Sequence, residues 1–280
     1  MARDDSDLKS NPYVILNPNR IYANERKWKI AEDMLERYTG SAPGEFHKQI
    51  ILTNFDYYLE KFHEQSQGRR TKGSAMSVVH SDKDKVSIIN FSIGSPTAAL
   101  IIELLATADP KAVLFLGMTG GLHRSLKVGD FIVPTAAIRD EGGSNHFMPP
   151  QVPALPTFKV QKFVSQILVE EGLDYRTGVV HTTDYRFWEF DDRFKAQLYE
   201  ERALAIDMEC ATLFMVGFVS KVPIGALLLV SDTPLKRGGI KTKASASSVF
   251  KSFTDQHLRL GIRSMSEIAE RGEHIRHYKW

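Results

Sequence analysis

The sequence predicts an α/β protein with a largely parallel or mixed sheet. Short apolar runs recur along the 280 residues, and amphipathic helical patterns separate them. Such near-continuous apolar strands indicate burial on both faces, as in a sheet covered by helices. The sequence shows no internal repeat and no linker-like stretch, so we expect a single domain.

Seven apolar runs predict strands. They cover residues 50–55, 86–94, 112–118, 131–138, 177–184, 204–209 and 225–232. The run of residues 225–232, GALLLVSD, is the most apolar of them. Because the runs alternate with helical patterns, we expect βαβ-type connections between the strands.

The helical patterns fall between these runs. A helix is predicted over 24–38, where apolar residues recur at helical spacing and Gly40 follows as a stop. Further helices are predicted around Tyr58 to Phe62, over 97–108, over 158–172 and along a stripe from Phe250 to Ile268. Residues 67–75 are expected to form a loop, and residues 1–20 an extended arm.

Composition excludes several classes of protein. The net charge is +2, and no basic stripe is interleaved with aromatic residues, so no nucleic-acid partner is expected. The single cysteine, Cys210, cannot form an intrachain disulfide, and no Cys/His spacing indicates a metal site, which fits a reducing compartment. No apolar stretch approaches the ~20 residues of a membrane span, and no signal-peptide pattern is present, so we expect a cytoplasmic protein without a membrane partner.

Polar residues and glycines repeatedly stand at the ends of the predicted strands. In open α/β sheets the ligand site lies beyond the carboxyl ends of the strands, so these residues are candidates for one site. Each one alone also has an ordinary interpretation, since a glycine after a strand is usually a turn. The strand-end candidates are Asn54, Gly94, Ser95, Thr119, Gly120, Arg139, Glu141, Thr183 and Asp232.

Three motifs allow both a functional and a structural interpretation. GMTGGL at 117–122 could be a flexible backbone cradle for a polar ligand group, because its glycines permit close approach. Asp207 and Glu209 stand at a strand-to-helix junction, where a carboxylate either caps the helix or holds a diol. Asp232 is either a helix cap or a general acid at a strand end.

Taken together, the motifs resemble the nucleoside phosphorylase and nucleosidase superfamily over roughly residues 48–270. The resemblance implies a three-layer α/β/α sandwich with a mixed, partly barrel-like central sheet. It also implies an N-terminal arm and helix over 1–47, a catalytic domain over 48–280, a homo-oligomer such as a hexamer, and no metal or organic cofactor. The motifs that carry it are GSP at 94–96, TGG at 119–121, GD at 129–130, DME at 207–209 and SD at 231–232.

Within this superfamily, segments such as HTTDYRFWE and AIDMECATLF are most similar to the branch that hydrolyses AMP. This implies a small-molecule substrate, AMP or a related purine nucleotide. Asp232, protonated, would donate to purine N7, while Glu209 would hold the ribose hydroxyls with Met208 packed on the sugar. Main-chain amides of Gly94, Thr119 and Gly120 would contact the ribose and the phosphate, and Arg139 and Arg186 would bind the 5′-phosphate. Phe187 or Trp188 would pack against the base or lie in the core. The other implied substrate contacts are Asn54, Ser95, Glu141 and Thr183.

Three departures from the family pattern shape the expected reaction. Phosphorylases usually carry a Gly-Asp-Pro turn after the first strand, whereas Asn54 and Phe55 stand here, which favours water over phosphate as nucleophile. Asp184 and Tyr185 stand where Asn and Arg are expected, so one phosphate or base contact is left open. About 45 residues precede the first strand, which predicts a short form without an ATP-regulated domain.

Two alternatives to AMP hydrolysis stay open at this point. One is a purine or uridine nucleoside phosphorylase, and the other is a non-catalytic nucleotide-binding sensor built on the same fold. The pairing of Asp232 with Glu209 disfavours the sensor, because binding alone needs no acid at purine N7.

Overall fold

The computed structural model describes residues 24–271, so the predicted arm over 1–20 lies outside the described residues. The strands are β1 (Gln49–Thr53), β2 (Arg69–Lys72), β3 (Ser77–Ser81), β4 (Val86–Asn90), β5 (Ala112–Gly121), β6 (Phe131–Asp140), β7 (Tyr175–Thr183), β8 (Ala205–Asp207) and β9 (Ile224–Asp232). The helices are α1 (Glu25–Thr39), α2 (Asp56–Ser66), α3 (Ser95–Leu105), α4 (Phe158–Glu170), α5 (Asp192–Glu201), α6 (Cys210–Val219), α7 (Lys243–Ser252) and α8 (Thr254–Arg271).

The strands form one mixed sheet in the order β2-β3-β4-β1-β5-β8-β7-β6-β9. β9 also pairs in parallel with β5, so β5, β8, β7, β6 and β9 close into a ring. β1 pairs in parallel with β4 and β5, and β2 and β3 extend the open side in antiparallel fashion. The predicted mixed, partly barrel-like sheet is therefore confirmed.

Helices cover both faces of the sheet. Along β1, Ile50 and Leu52 belong to one hydrophobic core and Ile51 to another, because successive side chains of a strand point to opposite faces. The first core is completed by α1, α3 and α6, and the second by α2, α4 and α8. This arrangement confirms the predicted three-layer α/β/α sandwich.

All seven predicted strands are present, and the GMTGG segment, which the sequence also allowed to be a flexible backbone cradle, is part of a strand. Residues 117–121 are the last residues of β5. They stay in the strand because β9 pairs with residues up to Gly120 and β8 pairs with Gly120 and Gly121. A register shift between Thr119 and Gly120 is the irregularity that the glycines permit.

The predicted loop over 67–75 is wrong, since it contains β2. Arg69 to Lys72 pair antiparallel with β3 at the edge of the sheet. Their side chains are polar and mostly exposed, so the sequence lacks the alternation that indicates a half-buried strand. β3 and α5 were also not predicted, and the C-terminal stripe is divided at Phe253 into α7 and α8.

Candidate active site

A cavity of about 510 Å³ lies where the ends of several strands meet. β5 and β8 are antiparallel but overlap only at Gly120↔Ile206 and Gly121↔Ala205, so their carboxyl ends come together. The cavity is lined by Asn54, Phe55, Ile93, Met118, Thr119, Gly120, Thr183, Tyr185, Arg186, Trp188, Glu189, Ile206, Asp207, Met208, Glu209, Ser231, Asp232 and Lys241. Nine of the predicted site residues are among them: Asn54, Thr119, Gly120, Thr183, Arg186, Trp188, Met208, Glu209 and Asp232.

Glu209 is a buried carboxylate held by donors from three segments. Its Oε1 accepts hydrogen bonds from the Gly94 backbone N–H at 2.8 Å and from Asn54 Nδ2 at 3.3 Å. Its Oε2 accepts from the Met208 N–H at 3.3 Å. Gly94 has φ +99°, a conformation that glycine adopts without strain. Gly94 therefore contributes to the site by orienting Glu209 and not by lining the cavity.

The surroundings of Glu209 raise the pKa of its carboxyl to about 8. Burial raises its pKa, and the neighbouring Asp207 carboxylate raises the pKa further. The N–H groups of Gly94 and Met208 act in the opposite direction, because they stabilise the ionised form. A ligand that donates hydroxyl protons to this carboxylate would also favour the ionised form.

Asp207 has the structural role that was one of its two interpretations. Its Oδ2 accepts from the backbone N–H groups of Glu209 and Cys210, at 3.2 and 2.7 Å, at the start of α6. Its Oδ1 accepts from Thr182 Oγ at 2.7 Å. Both oxygens are therefore used in tying α6 to β7, whereas no cap hydrogen bond is made by the side chain of Glu209.

Asp232 ends β9 without capping a helix. The next helix, α7, begins only at Lys243, so the helix-cap interpretation of Asp232 is wrong. Burial raises the pKa of this carboxyl, and Ser231 Oγ, which donates to its Oδ1 at 2.6 Å, lowers the pKa. The positive charges of Lys241 and Arg186 also lower its pKa. A half-buried carboxyl with a raised pKa can hold a proton closer to neutral pH than an ordinary aspartate.

The segment after β7 forms another wall of the cavity. Arg186 Nη1 donates to Glu189 Oε1 at 2.9 Å, while Glu189 Oε2 is buried without a hydrogen-bond partner in the described chain. Trp188 is buried against Ile206 and Phe194. Phe187 does not line the cavity and is 68% exposed, so of the two aromatic candidates Trp188 faces the site.

Two of the predicted substrate-binding residues, Arg139 and Glu141, lie away from the cavity. Arg139 is surrounded by acceptors from the loop that follows β6, and Glu141 Oε1 accepts from Thr212 Oγ at 2.6 Å and from the Ser144 N–H at 3.0 Å. The acceptors of Arg139 are Ser144 Oγ, Asn145 Oδ1 and the carbonyl oxygens of Met148, Pro149 and Val152. Both side chains hold this loop against the fold.

Like Gly94, which orients Glu209, Ser95 lies outside the cavity and acts through a residue that lines it. Ser95 Oγ donates to the Met208 carbonyl at 2.8 Å, which fixes the β8–α6 junction against the start of α3. Thr183 lines the cavity, but its hydroxyl oxygen accepts from the Tyr185 N–H at 3.1 Å. Thr119 likewise lines the cavity while its hydroxyl donates to the Ile206 carbonyl at 2.6 Å.

Several lining residues were not predicted from the sequence. Glu189 stands three positions after Arg186, and this spacing of opposite charges was an available signal. Lys241 gives no such signal, because it lies in an irregular segment nine residues after Asp232. The unpredicted lining residues are Phe55, Ile93, Met118, Tyr185, Glu189, Ile206, Ser231 and Lys241.

Metal binding and membrane insertion are two further properties to consider for residues 24–271. Within that range, no group of three or more His, Cys, Asp or Glu side chains is arranged to hold a metal ion. None of the helices described there is both long and apolar enough to cross a membrane.

The fold and the strand-end site together define the class of protein. Residues 43–265 match the family model of the Phosphorylase superfamily, and the chain belongs to this family. The predicted resemblance is therefore confirmed. Among solved structures, the purine nucleoside phosphorylase of Toxoplasma gondii shares the fold, with a TM-score of 0.72 and 20% identity over 82% of this chain and 95% of the other.

Relatives named AMP nucleosidase are more similar in sequence. The structure of such a protein from Bacteroides thetaiotaomicron has a TM-score of 0.78 and 40% identity, covering 88% of this chain and 98% of that chain. The AMP nucleosidase of Escherichia coli K12 is 34% identical over 210 residues, which are 72% of this chain. The matched region is only 43% of the length of that relative.

Proposed function

We propose that this chain hydrolyses the N-glycosidic bond of AMP, giving adenine and ribose 5-phosphate. The observation that carries the proposal is the convergence of Glu209 and Asp232 on one cavity within the Phosphorylase superfamily fold. The relatives named AMP nucleosidase support AMP as the substrate.

The two carboxyl groups match the two ends of the bond that breaks. Glycosidic cleavage passes through an oxocarbenium-like transition state, in which positive charge develops on the sugar and negative charge on the leaving base. Glu209, oriented by the Gly94 N–H, accepts hydrogen bonds from the ribose hydroxyls and stabilises the charge on the sugar. Asp232 donates its proton to purine N7, so adenine leaves as a neutral molecule. Water then supplies the hydroxyl at C1′, and the proton that it loses restores the acid form of Asp232.

The turn after β1 supports water over phosphate as the nucleophile. Asn54 Nδ2 donates to the Ser92 carbonyl at 2.6 Å as well as to Glu209, so the amide serves the carboxylate network. Phe55, the next residue, places its ring at the cavity instead of an open backbone turn. The turn itself therefore offers a phosphate ion a carbonyl, a carboxylate and an aromatic ring, none of which attracts an anion. The nearby cation, Lys241, belongs to a different segment, and its Nζ lies 5.9 Å from the centre of the Phe55 ring.

Product analysis tests the proposal. The protein is incubated with AMP in buffer free of inorganic phosphate, and the sugar product is identified by ³¹P NMR. Hydrolysis gives ribose 5-phosphate at a rate that added phosphate does not increase. Phosphorolysis would instead need phosphate and would give ribose 1,5-bisphosphate, while a sensor would bind AMP without turnover.

The homo-oligomer implied by the family resemblance stays a prediction, which light scattering on the same sample tests.

A further inference from the structure

Lys241 is a cation of the cavity that has no carboxylate partner within salt-bridge distance in the described part of the chain. Its Nζ lies 3.5 Å from Met118 Sδ, a weak acceptor, and 5.9 Å from the centre of the Phe55 ring. The side chain is half-buried, and burial lowers the pKa of its ammonium group. A partly desolvated ammonium without a counterion is unfavourable, so the site is completed by an anion.

The other positive groups near the substrate site are already neutralised or used. Among the described residues, Arg186 and Lys241 are the cations that line the cavity, and Arg186 is paired with Glu189. Arg139 uses its guanidinium on the loop after β6. Of these two cations, Lys241 is therefore the one without a carboxylate at salt-bridge distance, and the charge of Asp232 acts on it only from farther away, raising its pKa.

Asp232 cannot serve as the lasting counterion of Lys241 in the proposed reaction. The acid must carry its proton when AMP binds, so its carboxyl is neutral at that stage. Glu209 is occupied by the donors of Gly94, Asn54 and Met208 and by the ribose hydroxyls. The anion that reaches Lys241 must then come with the substrate.

We infer that Lys241 binds the 5′-phosphate of the nucleotide, an inference that rests on the proposed function. A phosphate monoester is the only strongly anionic group of AMP, and a lysine is a common point-charge partner for it. Lys241 stands two residues before the start of α7, where the positive end of the helix dipole also favours an anion. Lys241 then makes the site prefer a nucleotide over the corresponding nucleoside.

The test is the ratio of kcat/KM for AMP to kcat/KM for adenosine, measured in phosphate-free buffer for Lys241→Met. Loss of one charge-assisted contact should lower this ratio about 10- to 100-fold. Lys241→Arg should restore part of the ratio, because it keeps the charge. Lys243→Met is the matched control, since Lys243 is exposed and does not line the cavity, and it should leave the ratio unchanged.

Three results would overturn the inference. An equal loss for AMP and adenosine in folded Lys241→Met would mean that Lys241 serves the reaction and not the phosphate. Turnover that depends on added orthophosphate, with a KM for orthophosphate that rises in Lys241→Met and an unchanged substrate ratio, would assign Lys241 to a free phosphate. If the wild-type protein cleaves neither substrate, the proposed function fails by itself. Calorimetry then decides the inference, because equal affinity for ribose 5-phosphate in wild type and Lys241→Met would overturn it, and weaker binding in the variant would support it.

Discussion

Asp232→Asn separates the proposed general acid from a structural residue at the end of β9. Asparagine has nearly the same shape, and its amide oxygen can still accept the hydrogen bond from Ser231 Oγ, which is 2.6 Å long in the wild type. No helix begins directly after Asp232, so no cap is lost. We therefore expect the free energy of unfolding to change by less than about 1 kcal/mol, the usual range for a substitution that breaks no buried network.

Catalysis should respond very differently to the same change. A positioned general acid contributes roughly 10²–10⁴-fold, which corresponds to about 3–5 kcal/mol of barrier. The amide cannot transfer a proton to N7, so kcat for AMP should fall by that factor while KM changes little.

The assay combines steady-state kinetics with a melting curve on the same preparation, and Asp174→Asn, an exposed aspartate outside the cavity, is the control. Near-normal kcat in a folded Asp232→Asn protein would refute the assignment. The wild-type pH profile adds a second check. Because burial raises the pKa of Asp232, and the acid form is required, kcat should fall as pH rises through that raised pKa. The asparagine variant should lack this alkaline limb.

Three further predictions follow from other contacts. Glu209→Gln should lower kcat/KM for AMP about 10- to 100-fold, because hydrogen bonds to a charged acceptor are lost, and an unchanged kcat/KM would contradict its role. Burial lowers the pKa of His257 to about 4, so between about pH 6.5 and 4 the unfolded chain binds more protons at this residue, and stability is lost as pH falls. The difference in Tm between wild type and His257→Gln should therefore narrow on acidification. A difference that stays constant with pH would contradict this. Arg139→Lys should lower Tm, since a single ammonium cannot replace the five hydrogen bonds of the guanidinium. The preference for AMP over adenosine should stay as in wild type. A lost preference at unchanged Tm would instead place Arg139 at the phosphate site.

The layered fold could be predicted from the sequence because its buried elements have strong patterns. β1, β5 and β9 are short apolar runs, and their burial on both faces follows directly from that composition. β2 could not be found this way. Its Arg and Lys side chains point to solvent at an edge, and it is a strand because it pairs with β3, which begins five residues after Lys72. Hydrophobic periodicity does not show this pairing.

The site was partly predictable for a similar reason. Glu209 and Asp232 stand directly at the ends of recognisable strands, so their position in the chain indicates their position in the fold. Arg139 shows the limit of this argument, because an arginine near a strand end can point to any nearby acceptor. Here the guanidinium donates to carbonyl groups of the loop after β6. Lys241 shows the opposite case, since it reaches the cavity from an irregular segment without strand or helix periodicity.

Barrel closure explains how the two carboxyl groups meet although their strands run in opposite directions. In an open parallel sheet the carboxyl ends lie along one edge, but β8 is antiparallel to β5, and β9 is parallel to β5. β8 meets β5 only over the last two residues of β5, and β9 runs alongside β5 nearly to the same point. The C-terminal ends of β8 and β9 therefore both reach Gly120, from opposite directions. This places Glu209 and Asp232 on different walls of the cavity. A nucleotide between them can be held at the sugar by one carboxyl and protonated at the base by the other.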